Sequence, residues 1–263
     1  MSLFAAVVLG IIQGLTEFLP ISSSGHLVLT QNLLGVEEPA LIFDVAVHIG
    51  TLAAVLIFYR EDILTIIKAL PTLKKPSLND NEAHNLIFAI LVVTIITGAI
   101  GFSGRDFFES LFSYPRFVSL MLILTGLILL LTRIADKHSG TKTVSLPKAF
   151  LVGLAQSAAI IPGISRSGAT VSVALLLNVA REEAARLSFL AMIPAVLGAA
   201  ILTAAKVESA TNELLLASLV GMAVSAATGY LALGLLVKFV IKGRLYLFAP
   251  YLFIIGTLGL LLL

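Results

Sequence analysis

Six apolar stretches, at about 40–59, 86–103, 117–133, 185–205, 213–237 and 245–263, constrain this 263-residue chain more than any other feature. Each approaches the roughly 20 residues that a helix needs to cross about 30 Å of hydrocarbon. Backbone N–H and C=O groups find no water there, so a crossing segment must close its own hydrogen bonds, as a helix does. Charged residues make up only 12% of the chain and hydrophobic ones 59%, against about 25% charge in soluble domains. The chain therefore reads as an all-α integral membrane protein with six transmembrane helices in a single membrane domain, 1–263. A net charge of +2 is too small to suggest a nucleic-acid partner. The absence of Cys excludes disulfides, thiolate metal sites and haem attachment. With no Trp, Tyr and Phe must anchor the interfaces. The first residues carry no basic leader and run directly into polar motif residues, so no cleavable signal peptide is expected.

Two further apolar segments are interrupted. Residues 3–19 predict a helix ended by Pro20, then Ser22-Ser23-Ser24-Gly25 and a short helix over about 26–35. Residues 147–161 predict a helix broken at Pro162-Gly163, then a second one running from Ser165-Gly168 to about 180. Proline ends a helix because its ring clashes with the preceding turn and it lacks an N–H, and Ser at an N-cap restarts one. The flanking pieces are short for independent spans, so each segment is read as a re-entrant helical hairpin, tolerated where its irregular backbone lines a cavity.

Each half, about 1–135 and 144–263, then holds one hairpin and three spans. Three is odd, so the second half is inverted relative to the first, as in many transporters. Most of the 17 basic residues, from Arg60 and Lys68 through Arg244, then fall on one side. Only Arg105, Arg116 and Lys206 fall on the other, and Arg166 lies in a hairpin. The positive-inside rule makes the rich side cytoplasmic. Both termini are expected outside, and the two hairpins meet from opposite sides. The main cytoplasmic loop is 60–85, with 62–70 as an interfacial amphipathic helix, and Pro194 should kink the fourth span.

The interrupted segments carry the same motif. An offset of 143 residues, Gly10 to Gly153, superposes Gln13 on Gln156, Ser22 on Ser165, Ser24 on Ser167 and Gly25 on Gly168. The side chains between them differ: Glu17 faces Ile160, Ser23 faces Arg166, and His26 faces Ala169. One scaffold bearing a carboxylate and an imidazole in one copy and a guanidinium in the other suggests a composite site. Gln13 and Glu17 share a helix face, and Gly10 and Gly14 would let another helix approach closely. Ionisable groups inside a bilayer are costly and mark functional sites. Ser22, Ser23 and Ser24 offer hydroxyls at a helix N-terminus, a ready anion site, and His26 falls in that helix's first turn. Ser165, Ser167 and Thr170 repeat the arrangement around Arg166, whose planar fork suits phosphate oxygens. Asp44 and His48, at i and i+4, are either a supporting pair or structural packing. The set points to phosphate-ester chemistry at a membrane, where charge neutralisation and positioning do most of the work.

Gln13-Gly-Leu-Thr-Glu17-Phe-Leu-Pro-Ile-Ser-Ser-Ser-Gly-His26 and Pro162-Gly-Ile-Ser-Arg166-Ser-Gly-Ala-Thr170 resemble the two signatures of the bacterial undecaprenyl-diphosphate phosphatase, or bacitracin-resistance, family. The resemblance extends over essentially the whole chain. It implies hydrolysis of undecaprenyl diphosphate to the monophosphate and inorganic phosphate, which recycles the carrier for peptidoglycan and confers bacitracin resistance. It further implies a multi-pass protein of the bacterial inner membrane and a divalent cation, Mg²⁺ or Ca²⁺. Glu17, Ser23, His26 and Arg166 become the catalytic candidates, and Gln13, Ser22, Ser24, Ser165, Ser167 and Thr170 the substrate-binding ones. Glu17 is the expected metal ligand. Gln13 stands where the family often has Glu, so this helix face offers one carboxylate instead of two. The nucleophile is left open among Ser23, His26 and water, and a homodimer is allowed. Ser24-Gly25-His26 also matches part of the type 2 phosphatidic acid phosphatase signature, but no His follows Arg166 and position 172 is Ser, which excludes that family. The other reading is a lipid-phosphate or anion transporter on the same inverted repeat.

Overall fold

The computed structural model describes residues 1–33, 41–73, 82–135, 140–204 and 211–262. Lys74, Lys75, Lys137, His138 and Lys206 fall outside these residues. Twelve α-helices form among the described residues: α1 (Leu3–Phe18), α2 (Ser23–Leu33), α3 (Leu41–Phe58), α4 (Arg60–Ala69), α5 (Glu82–Ser103), α6 (Arg105–Leu111), α7 (Pro115–Leu131), α8 (Leu146–Ala158), α9 (Arg166–Leu176), α10 (Arg181–Ala204), α11 (Asn212–Ile241) and α12 (Ala249–Leu262).

The six predicted spans correspond to α3, α5, α7, α10, α11 and α12. α5, α10, α11 and the segment Leu245–Leu262 are each long and apolar enough to cross a membrane alone. α3 and α7 supply the other two, each joined to a short helix at a sharp bend. α4 leaves α3 at 76°, in the place where the amphipathic interfacial helix was expected, and α6 meets α7 at 96°. α6 was not anticipated. Its seven residues alternate charge with Phe107 and Phe108, too short a pattern to read by period. α10 runs through Pro194 without interruption.

Both interrupted segments fold as helical hairpins, α1–α2 and α8–α9. The helices are shorter than the sequence suggests: α1 stops at Phe18, α8 at Ala158 and α9 at Leu176, while α2 starts already at Ser23. α1 packs on α11 and α8 packs on α5; α11 also packs on α3, and α5 on α10. α7 pairs with α12, and α3 with α10.

The main core gathers around Phe18, Leu187, Phe189, Leu233 and Leu236. Phe189 meets Phe18 edge-on at 5.8 Å and Tyr59 at 6.1 Å. Outside, large apolar side chains stand bare, among them Phe4, Phe102, Ile201, Leu231 and Leu261, each about 70% exposed. On a water-soluble monomer such a surface far exceeds the few hundred Å² usually tolerated; in a bilayer it is the lipid-facing side. One end of the bundle is tied by polar contacts: Arg186 to Asp62 at 2.6 Å, Arg181 to the Ile241 carbonyl at 3.0 Å, and Arg133 over the Tyr246 ring.

Candidate active site

Each hairpin turns through a locally determined break. In the first, Pro20 bars the preceding residue from the helix and Ser22 adopts a left-handed φ of 69°. Ser22 Oγ then accepts from the Gly25 N–H at 3.3 Å. In the second, Gly163 has φ 95° and a side chain there would strike the Val118 carbonyl, so only glycine fits. Ser165 Oγ accepts from the Gly168 N–H at 3.1 Å. The capping bond therefore repeats at the 143-residue offset: Ser22 and Ser165 each satisfy an N–H left free at a helix start. Each lies 3.2 Å from a second hydroxyl, Ser24 and Ser167 respectively.

The residue after each cap points to Glu17, Ser23 from within the first hairpin and Arg166 across from the second. Ser23 Oγ donates to Glu17 Oε2, and Arg166 Nη2 donates to Glu17 Oε1. Gln13 Nε2 donates to Oε2 at 3.0 Å from one turn earlier. The Glu17 side chain is only 3% exposed. A carboxylate so buried stays ionised only if a paired cation and hydrogen bonds replace its lost hydration. Arg166 is that cation.

Packing aims these groups. A Cβ at Gly14 would collide with the Thr228 hydroxyl and lie 2.7 Å from the Ser225 carbonyl oxygen, so α1 and α11 meet backbone to backbone, as small residues permit. That contact fixes the rotation of α1 and hence the direction of Glu17. The second break is pinned by Thr125 of α7, whose hydroxyl donates to the Gly163 carbonyl at 2.9 Å and accepts from the Ser165 N–H at 3.2 Å. Thr125 carries no motif signal and was invisible in the sequence.

Glu17, Ser22, Ser23, Ser24, Ser165 and Arg166 all line one cavity of about 580 Å³, within the range of small-molecule sites. Gln13 lies behind Glu17 and is fully buried. Ser167 donates to the Leu19 carbonyl at 3.4 Å, joining the hairpins. Thr170 donates to the Arg166 carbonyl at 2.7 Å and lies 2.6 Å from Ser188 Oγ, so it braces α9 against α10 away from the cavity.

His26 does not join the cluster. Its ring stacks on Tyr251 of α12 at 5.6 Å, with Nε2 2.7 Å from the Tyr251 hydroxyl and Nδ1 2.8 Å from the Ser22 carbonyl. Both ring nitrogens are engaged, and His26 is not among the residues lining the cavity. The imidazole that does line it is His48 of α3, with Nε2 3.9 Å from Glu17 Oε2. His48 Nδ1 donates to the Asp44 carbonyl at 2.7 Å, because a carbonyl can only accept. The Asp44 carboxylate instead accepts from Gln31 at 3.2 Å. The i, i+4 spacing of Asp44 and His48 was the only sequence signal for this residue.

Residues 6–258 match the family described as bacitracin resistance protein BacA. The chain belongs to this family. It is 45% identical over 263 residues to an undecaprenyl-diphosphatase of Desulfosudis oleivorans, covering 97% of this chain and 96% of that protein. An undecaprenyl-diphosphatase of Salinibacter ruber is 43% identical with both chains fully covered. One from Desulforapulum autotrophicum is 42% identical, covering 99% of this chain and 98% of the relative. Among the described residues no three His, Asp or Glu side chains come together. The one central carboxylate already accepts from Arg166, Ser23 and Gln13.

Proposed function

We infer that this chain hydrolyses undecaprenyl diphosphate to undecaprenyl phosphate and inorganic phosphate. The observation that carries the reading is the convergence of Ser23 and Arg166, equivalent positions of two repeated hairpins, on a single buried carboxylate within an open cavity. A transporter needs a site for the anion but no hydroxyl held against a base. The relatives' name and the family point the same way.

The residues divide the chemistry as follows. Arg166 uses one N–H on Glu17 and has others for the terminal phosphate, where negative charge builds in the transition state. Ser23 Oγ is the nucleophile and Glu17 takes its proton, a nucleophile–base pair within hydrogen-bonding reach. The new bond is Ser23 Oγ–P, and the bond that breaks is P–O to the bridging oxygen, which leaves with the prenyl phosphate. Glu17 passes that proton to the departing prenyl phosphate; water then attacks the phosphorus on Ser23, giving a proton to Glu17, which returns it to Ser23 Oγ as the Oγ–P bond breaks and inorganic phosphate leaves. The hairpin N-termini add positive partial charge around the same anion. A divalent cation, Mg²⁺ or Ca²⁺, would need several oxygen ligands, of which this chain's Glu17 could supply one. When bound it supplies further charge neutralisation.

We place the protein in the bacterial inner membrane as two inverted repeats, about 1–135 and 144–263. The packing supports this: exchanging α1 with α8, α3 with α10, α5 with α11 and α7 with α12 turns the α1–α11 contact into α8–α5, and α11–α3 into α5–α10. The end tied by Arg133, Arg181 and Arg186 is assigned to the cytoplasm by the positive-inside rule, leaving both termini outside. The deciding measurement is phosphate release from undecaprenyl diphosphate by purified protein and its Glu17→Ala variant. Release by the wild type and its loss in the variant is expected; binding without release by the wild type would favour the transporter.

A further inference from the structure

The cavity is larger than a diphosphate requires, and its second half has a different chemistry. α5 and α10 pack together, but the buried residues of α5 end at Val93, and beyond Pro194 Val196 is still buried while Leu197, Ile201 and Leu202 are exposed. Past those points the helices part. The gap between them is the continuation of the cavity that holds Glu17 and Arg166, and Thr97, Gly98, Gly101, Pro194, Gly198 and Ala199 line it.

Two of these glycines have no packing reason to be glycine. A Cβ at Gly98 or Gly198 meets nothing within 4 Å, whereas at Gly10 it lies 2.8 Å from the Gly221 carbonyl oxygen. Glycine inside a helix is otherwise destabilising relative to Ala. What the two positions supply is width in the gap. Gln156 lies where the polar and apolar halves meet; it is 2% exposed, donates to Thr97 Oγ1 at 3.2 Å, and its Oε1 has no partner.

We propose that the gap between α5 and α10 seats the first isoprenoid units of the lipid diphosphate, and that Gly98 and Gly198 set its width and hence the enzyme's acceptance of long prenyl chains. This rests on the phosphatase reading. The occupant follows from continuity: a diphosphate held by Arg166 shares its cavity with the α5 and α10 side, where Gly98, Gly101, Pro194, Gly198 and Ala199 bring no polar side chain, while Arg105 and Glu109 of α6 line another part. A volume of about 580 Å³ suits a head group and a short length of chain, with the remainder in the bilayer.

The test compares wild type, Gly98→Leu, Gly198→Leu and Gly98→Ala on undecaprenyl diphosphate and on farnesyl diphosphate, with phosphate release as the readout. Each Leu variant should lower kcat/KM for the long substrate about tenfold or more, mainly through KM, and change the short one less than about threefold. Gly98→Ala should resemble wild type. Because a Cβ at either position meets nothing within 4 Å and glycine is the poorer helix former, melting temperatures should not fall, which separates blocked binding from misfolding. Equal losses on both substrates, or no loss on the long one, would overturn the proposal. Wild type releasing phosphate from neither substrate would instead overturn the phosphatase reading. A prenyl phosphate carrying a benzophenone near its head provides an independent readout. It should crosslink to α5 or α10 and be displaced by undecaprenyl phosphate; crosslinking that undecaprenyl phosphate does not displace would mark a general lipid crevice and refute the proposal.

Discussion

Replacing Arg166 separates its two roles, as partner of a buried charge and as phosphate clamp. Arg166→Lys keeps a cation near Glu17 but loses the planar fork. A guanidinium that spends one N–H on Glu17 can still give two to the phosphate; an ammonium cannot match that geometry. Hydrogen bonds to charged groups are worth about 1.5–3 kcal/mol each, and the loss falls mainly on the transition state. Losing one or two predicts about 3 kcal/mol in the barrier, or roughly a 10²-fold fall in kcat at about 1.4 kcal/mol per decade. The folded state should be nearly unaffected. Arg166→Ala is different, because it strands a carboxylate whose side chain is 3% exposed. Removing one partner of a buried pair typically costs about 3–5 kcal/mol. The double variant Glu17→Gln/Arg166→Ala should recover most of that stability and none of the activity. The assay is phosphate release in detergent together with thermal unfolding of each purified variant. Near-wild-type turnover of Arg166→Lys would refute the clamp, and an unchanged melting temperature for Arg166→Ala would refute the ion pair.

Gln13→Glu places a second carboxylate beside Glu17, where Gln13 now donates at 3.0 Å; activity should become more dependent on Mg²⁺ or Ca²⁺, read as a steeper loss on chelation than in wild type. His26→Ala and Tyr251→Phe should each keep phosphate release within about tenfold of wild type, while Ser23→Ala should lose about 10²-fold or more, the scale of a missing catalytic group; loss of activity in His26→Ala matching that of Ser23→Ala would place the imidazole in the chemistry. The chain has no cysteine, so single cysteines at the exposed positions Ser110 and Thr143 report sidedness without background. An impermeant thiol reagent added to intact cells should label the first and spare the second; the reverse would invert the orientation.

The spans and the breaks were legible in the sequence because they depend on near neighbours along the chain. A long apolar run must be a helix in hydrocarbon, and Pro20 and Pro162-Gly163 interrupt it wherever they are placed. The same holds for Ser22 and Ser165, whose capping bonds reach only three residues ahead. The 143-residue offset carried more, since it made Ser23 and Arg166 equivalent before either had a partner. Gly10 and Gly14 announced a close helix contact without naming α11 as the helix. Tertiary structure decided which imidazole faces the carboxylate. His26 sits in the motif yet turns to Tyr251, and His48, 31 residues from Glu17 in sequence, comes to 3.9 Å. The parting of α5 and α10 was equally hidden, because a glycine that widens a gap and one that admits a neighbouring helix read alike. Helix existence follows from local backbone and hydrocarbon energetics. The rotation and separation of helices are set by contacts between segments far apart in sequence, and those alone determine which polar side chains share a cavity.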